Sequence, residues 1–210
     1  MKKIITLLMV MSLCVFTVAC GSQSSSNNTT ENNNAGQAEE NEVAGEQTDT
    51  TSADGATLVV YFSNTGNTKA VAEHIASGLD ADIYEIVPED PYTDADLYYN
   101  DNNSRSTQEM NDPSVRPVIS GSVENMDQYD TIYIGYPIWW GEAPRIMNTF
   151  VESYDFTDKT VILFCTSSSS SMGLSATALE EFAGSGTWLE GQRFSENESE
   201  SEVMEWINSL

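Results

Sequence analysis

The chain has 210 residues, 40% of them hydrophobic, and a formal net charge of −25 from 33 acids against 8 bases. That length allows one ordinary domain with appendages. The charge argues against a binder of nucleic acid or of an anionic membrane surface, because polyanions repel, and the acids are too dispersed to be a simple acidic tail.

Lys2-Lys3 open the chain, and residues 4–18 are apolar except for Thr6, Ser12 and Thr17. A charged start followed by about 15 apolar residues suits a secretory signal, whereas a membrane span needs about 20. Val18-Ala19 precede Cys20, and Gly21-Ser22 follow. This resembles the lipobox of bacterial lipoproteins, which implies that residues 1–19 are removed and that Cys20 carries lipid. Thr17 departs from that pattern, which usually has Leu there. The other reading is an ordinary signal peptide cut near an unrelated cysteine. On the lipobox reading Cys14 leaves with the signal and Cys165 stands alone, so no intramolecular disulfide is expected. The expected location is extracytoplasmic, anchored to the cell membrane through Cys20.

Residues 20–55 are rich in Ser, Asn, Thr, Gln, Gly and Glu, with almost nothing apolar. Such a segment cannot bury enough surface to offset its ordering entropy, so it reads as a disordered acidic tether. Residues 56–210 form the predicted domain. Within it, 57–62 (TLVVYF), 131–136 (TIYIGY) and 160–165 (TVILFC) are short runs that are apolar on both alternating faces. Central strands of a parallel sheet read this way. Residues 81–87 (ADIYEIV) suit a strand nearer an edge, and 188–194 a weaker fifth strand.

Helical stripes fall between the strands. Val71, Ile75 and Leu79 form the first; Ile146, Met147, Phe150, Val151 and Tyr154 the second, with Pro144 placed for a first turn; Leu174, Ala178, Leu179 and Phe182 the third. Val203, Trp206, Ile207 and Leu210 form the last, with Ser199 and Glu202 spaced as a capping box. Residues 88–130 are polar, and 94–110 is a candidate further helix. Strands alternating with helices predict a doubly wound α/β fold, which binds ligands beyond the carboxyl ends of its strands. The loops to inspect therefore follow Phe62, Tyr136 and Cys165.

The first loop is Ser63-Asn64-Thr65-Gly66-Asn67-Thr68, running directly into a helix. Hydroxyls, main-chain N–H groups and the helix dipole favour an anion there, and Gly66 permits close backbone approach. A phosphate would be cradled by donors alone, since Lys69 comes only afterwards. The plainer alternative is a turn with Thr65 as helix N-cap. The second loop is Pro137-Ile138-Trp139-Trp140-Gly141-Glu142-Ala143-Pro144. Its tryptophans suit either core plugs or a flat wall for an aromatic ligand, and the neighbouring phosphate loop favours the wall. The third is Thr166 with five serines to Ser171, then Met172-Gly173. It reads either as a low-complexity loop or as a third wall of hydroxyl and N–H donors.

Taken together, these motifs resemble the flavodoxin family, specifically bacterial flavodoxin-like lipoproteins with a P-I-W-W-G loop, over residues 57–185. The resemblance implies a five-stranded parallel sheet in the order 2-1-3-4-5 and non-covalently bound FMN. It implies that Ser63, Asn64, Thr65, Gly66, Asn67 and Thr68 hold the phosphate. Pro137, Ile138, Trp139, Trp140 and Gly141 would line the isoalloxazine, with Gly141 at its N5. Thr166, Ser167, Ser168 and Gly173 would meet the other side of the ring or its pyrimidine edge. The five serines depart from the His- and Gly-rich loop of related sequences.

Other residues are assigned to structure. Cys165 lacks the following arginine of a cysteine phosphatase, and His74 lacks ligand partners for zinc. Tyr98 and Tyr99 are placed near a flavin but assigned to packing. The implied function is an FMN-binding electron carrier outside the cytoplasmic membrane, exchanging electrons with a redox partner protein or small acceptor. The alternatives are an NAD(P)H-dependent flavin reductase of quinones or similar acceptors, and a non-redox surface binding lipoprotein.

Overall fold

Alternation along the first strand sends Leu58 and Val60 to one side and Val59 and Tyr61 to the other, and all four are buried. The computed structural model describes residues 55–210. The signal segment, Cys20 and, apart from Gly55, the expected tether lie outside the described residues. Strand β1 (Ala56–Tyr61) leads through α1 (Asn67–Leu79) to the short strand β2 (Asp82–Glu85). A polar stretch containing α2 (Arg105–Asn111) precedes β3 (Tyr129–Pro137). Then α3 (Arg145–Glu152), β4 (Thr160–Thr166), α4 (Ser175–Ala183), β5 (Thr187–Phe194) and α5 (Glu200–Ile207) alternate. The five strands pair in parallel in the order 2-1-3-4-5.

The core has two halves, one on each side of the sheet. Val59, Tyr61, Tyr133, Ile162 and Phe164 pack with Val71 and Ile75 of α1 and Val203 and Ile207 of α5. Leu58, Val60, Ile132, Ile134 and Leu163 pack with Ile146, Met147, Phe150 and Val151 of α3 and Leu179 of α4. Central strands covered on both faces are apolar throughout, which is why their sequence runs are continuous.

Several boundaries differ from expectation. The 81–87 strand stops at Glu85; Val87–Pro88 turns away and pairs antiparallel with Ile119–Ser120. Only Arg105–Asn111 of the candidate 94–110 helix is helical. Upstream, Asp96 accepts from the Thr93 N–H (2.8 Å) and hydroxyl (2.6 Å), and Asp101 accepts from the Asn103 N–H (2.8 Å). Such local side-chain bonds compete with helix. Of the stripe expected for α4 only Leu179 is buried; Leu174 precedes the helix and is exposed, as is Phe182. Pro144 is the N-cap of α3 rather than part of its first turn. The Ser199 hydroxyl accepts from the Glu202 N–H (3.3 Å) and donates to its carboxylate (2.6 Å), so α5 opens where the capping spacing placed it.

Candidate functional site

The end of β1 gives way to a loop that needs a left-handed residue. Gly66, at φ 90°, is the N-cap of α1 and takes the place expected for Thr65 in the plainer reading. Its N–H donates to the Ser63 hydroxyl (3.2 Å), folding the loop onto itself, and its carbonyl accepts the first helical bond, from Ala70 (3.0 Å). Among the described residues no side chain caps the helix. The first-turn N–H groups of Asn67, Thr68 and Lys69 therefore have no acceptor among the described residues. Orphan donors at a helix N-terminus are a ready anion site. The Thr68 hydroxyl is buried and bonds the Thr166 hydroxyl at the end of β4 (2.7 Å), tying the first loop to the third.

The second loop is a tight reversal. Trp139 and Glu142 exchange both main-chain hydrogen bonds at 2.9 Å, closing a two-residue turn. Both central residues have positive φ, Trp140 at 49° and Gly141 at 83°. This is the pattern of a type I′ turn, which favours Asn-Gly. A bulky aromatic in that first position is strained, and such strain gathers at functional sites. The two tryptophans part company here. Trp139 is 4% exposed and meets Phe62 and Tyr92 edge-on, at centroid distances of 5.6 and 5.2 Å. Trp140 is 41% exposed, its ring 4.7 Å from that of Tyr99.

The third loop is laced to its neighbours. Its Thr166 carbonyl accepts from the Ile138 N–H (3.1 Å), and the Ser167 N–H donates to the Phe194 carbonyl (3.1 Å). The Ser167 hydroxyl accepts from the Ser170 N–H (2.9 Å), giving the serine run a fixed turn.

The three loops enclose a cavity of about 410 Å³, within the usual range for small-ligand sites. Ser63, Asn64, Thr65, Asn67 and Thr68 line it from the first loop, Pro137, Ile138 and Trp139 from the second, and Thr166, Ser167 and Ser168 from the third. Gly66, Trp140, Gly141 and Gly173 are not among its lining residues. The Gly141 carbonyl lies 3.4 Å from where a Gly173 Cβ would stand, so the second and third loops meet outside the cavity wall. Leu97, Tyr99 and Glu196 complete the lining. Tyr98 and Tyr99 are exposed, which corrects their assignment to packing. Leu97 and Glu196 carry no local motif; only the path of the chain brings them in.

Among the described residues no lysine or arginine lines the cavity, and Glu196 adds an acid. Every described cation already has a partner: Lys69 has Glu73, Arg105 has Glu109 and Asp90, Arg116 has Glu152, and Arg145 has Glu142. Lys159 and Arg193 bond the carbonyls of Tyr129 and Ser167. Cys165 is buried, and that burial pushes its thiol up to about 12, so it remains an unreactive thiol. Burial also raises the Tyr136 hydroxyl above its ordinary value, and that group bonds Ser175 (2.9 Å).

A family model described as flavodoxin matches residues 56–210. The flavodoxin of Haemophilus influenzae is 29% identical over 108 residues, which are 50% of this chain and 45% of that protein. The chain thus spans less than half the length of that curated relative. Among solved structures, a candidate flavoprotein from Bacteroides eggerthii is 44% identical, with a TM-score of 0.70 over 75% of this chain and 98% of that one. A flavoprotein from Lactobacillus acidophilus, solved in complex with FMN, is 26% identical, with a TM-score of 0.55 over 73% of this chain and 99% of that one.

Proposed function

Because the chain belongs to the flavodoxin family, we propose that it binds FMN at the cavity between its three strand-end loops and carries electrons outside the cytoplasmic membrane. One observation carries the FMN reading. The three loops that the motifs single out converge on one cavity, rich in hydroxyls and bordered by unpaired first-turn N–H groups. That donor set fits a phosphate held without a cation. Ser63, Thr65 and Thr68 would offer hydroxyls, and α1 its first-turn N–H groups and positive dipole end. Pro137, Ile138 and Trp139, with Tyr99 opposite the turn, would flank the ring and keep water from it.

Bound FMN supplies a ring able to take up electrons singly or in pairs. The chain tunes that ring through its own groups. Dense negative charge penalises an added negative charge, so it lowers the potential of the fully reduced state. The same acidity steers cationic partners toward the protein and repels anionic ones. Tyr99, which lines the cavity, and the exposed Trp140 packed against it would serve as contact groups for such a partner. Lipid on Cys20 would hold the domain at the membrane, with residues 20–55 as its tether.

The test uses the full chain. Stoichiometric uptake of FMN is expected, without sustained NADH or NADPH oxidation in the presence of a quinone. Rapid turnover would make it a reductase, and failure to take up FMN would leave only a surface binding protein. Replacing Cys20→Ser is expected to move the chain from the membrane fraction to the soluble one; an unchanged distribution would remove the anchor.

A further inference from the structure

Arg145 is a buried cation whose three nitrogens reach acceptors in two separate segments. One terminal nitrogen, Nη1, meets the Glu142 carboxylate at 2.9 Å. The other, Nη2, donates to the Met110 carbonyl at 2.8 Å, and Nε donates to the Glu109 carbonyl at 3.3 Å. Glu142 is the closing residue of the turn that holds Trp140 and Gly141 at positive φ. Glu109 and Met110 lie at the carboxyl end of α2, where the last carbonyls and the helix dipole attract a cation; the Glu109 carbonyl also accepts from the Asp112 N–H (3.2 Å). The chain leading into α2 supplies Leu97 and Tyr99 to the cavity, and Tyr99 faces Trp140. One guanidinium therefore joins the strained turn to the segment that carries the opposite aromatic.

An apolar side chain could fill this space without the cost of burying a charge. A lysine could serve one acceptor but not three at fixed angles. The planar fork is the feature that the site uses. We infer that Arg145 is a positioning residue for the flavin ring, fixing the Trp139–Glu142 turn, whose Trp139 lines the cavity, against the α2 segment so that the ring wall is formed before the ligand arrives. This rests on the FMN reading. It assigns Arg145 to the ring and not to the phosphate.

The experiment measures Kd for FMN and for riboflavin on the full chain, with visible circular dichroism of the bound flavin and near-ultraviolet circular dichroism of the ligand-free protein. Arg145→Met is expected to weaken both ligands by the same factor, about tenfold, and to change both spectra. Arg145→Lys is expected to recover only part of that loss. Thr65→Val, by contrast, should weaken FMN and leave riboflavin nearly unchanged. Wild-type affinities and spectra in Arg145→Met, even with a lowered thermal midpoint, would overturn the positioning role and leave FMN binding intact. A wild-type chain that binds neither ligand would overturn the FMN reading and this inference with it. Should Arg145→Met fail to fold, Glu142→Gln removes the charge from the turn alone. It should lower both affinities by an equal factor of about three; unchanged values would again overturn the role.

Discussion

Trp140 occupies a position that its own backbone disfavours, and the strain has a measurable consequence. Trp140→Asn places the preferred Asn-Gly pair in the turn. Chemical denaturation of the ligand-free protein should show it more stable by about 0.5–1 kcal/mol, while flavin titration shows weaker binding. A variant that gains stability and keeps its affinity would separate the strain from function. Gly141→Ala probes the next residue, at φ 83°, with open space around it. Within the protein itself, the substitution acts through the backbone rather than through collision. Both one-electron potentials of bound FMN should shift, by about 40 mV for roughly 1 kcal/mol of altered peptide preference. Unmoved potentials would take Gly141 out of the redox chemistry. Ser63, Thr68 and the Pro137-Ile138-Trp139 run were legible in the sequence because each follows a strand end that the apolar runs locate. Tyr99 reads in the sequence as a flavin cover or, by preference, a packing group, and Glu196 belongs to no motif at all. Their roles depend on where a long polar segment and the last strand return to the sheet, and hydropathy does not encode that path.

The central strands announce themselves by continuous apolar sequence, and α3 by its stripe. Phe150 of α3 is buried, with its ring 4.9 Å from Tyr154 and 6.4 Å from Tyr84. Phe150→Ala should cost about 3–5 kcal/mol in equilibrium unfolding. A loss below about 1 kcal/mol would mean that this face of the sheet is not packed as described. The same helix ends in a pH-sensitive contact. Arg116 grips both oxygens of Glu152 at 2.7 Å, and that hydrogen bonding, more than the charge itself, holds the Glu152 carboxyl below its ordinary value. A carboxyl depressed in the folded state stabilises fully above its ordinary value, and the gain is lost as pH falls through the folded one. Both side chains are partly exposed, so a double-mutant cycle should give about 0.5–1 kcal/mol at pH 7. The coupling should fade to nothing as Glu152 protonates in acid; coupling that persisted there would not be ionic. The elements that sequence placed least well, residues 81–87 and 94–110, are those in which proline and Asp/Asn side chains redirect the backbone locally. A sharp change of direction there outweighs the underlying period.

At the scale of the whole molecule, 33 acids face 8 bases, and every described base is already engaged within the protein. Self-repulsion of this size should relax on screening. Raising the salt from ~0.01 to ~0.15 M shortens the Debye length from about 30 to about 8 Å, and the thermal midpoint should rise with it. Electron exchange with a cationic acceptor should slow over the same range, and exchange with an anionic one should accelerate. Identical salt dependence for both acceptors would remove electrostatic steering from the carrier role. No helix among the described residues is long and apolar enough to cross a membrane. The proposed membrane association rests on the lipobox pattern that ends at Cys20.

The most direct measurement is the mass of the small molecule released when the purified, folded full chain is denatured. The proposed cofactor requires riboflavin 5′-phosphate, in near-equal molar amount after incubation of the protein with it. Protein that stays colourless after that incubation and releases nothing on denaturation would contradict it.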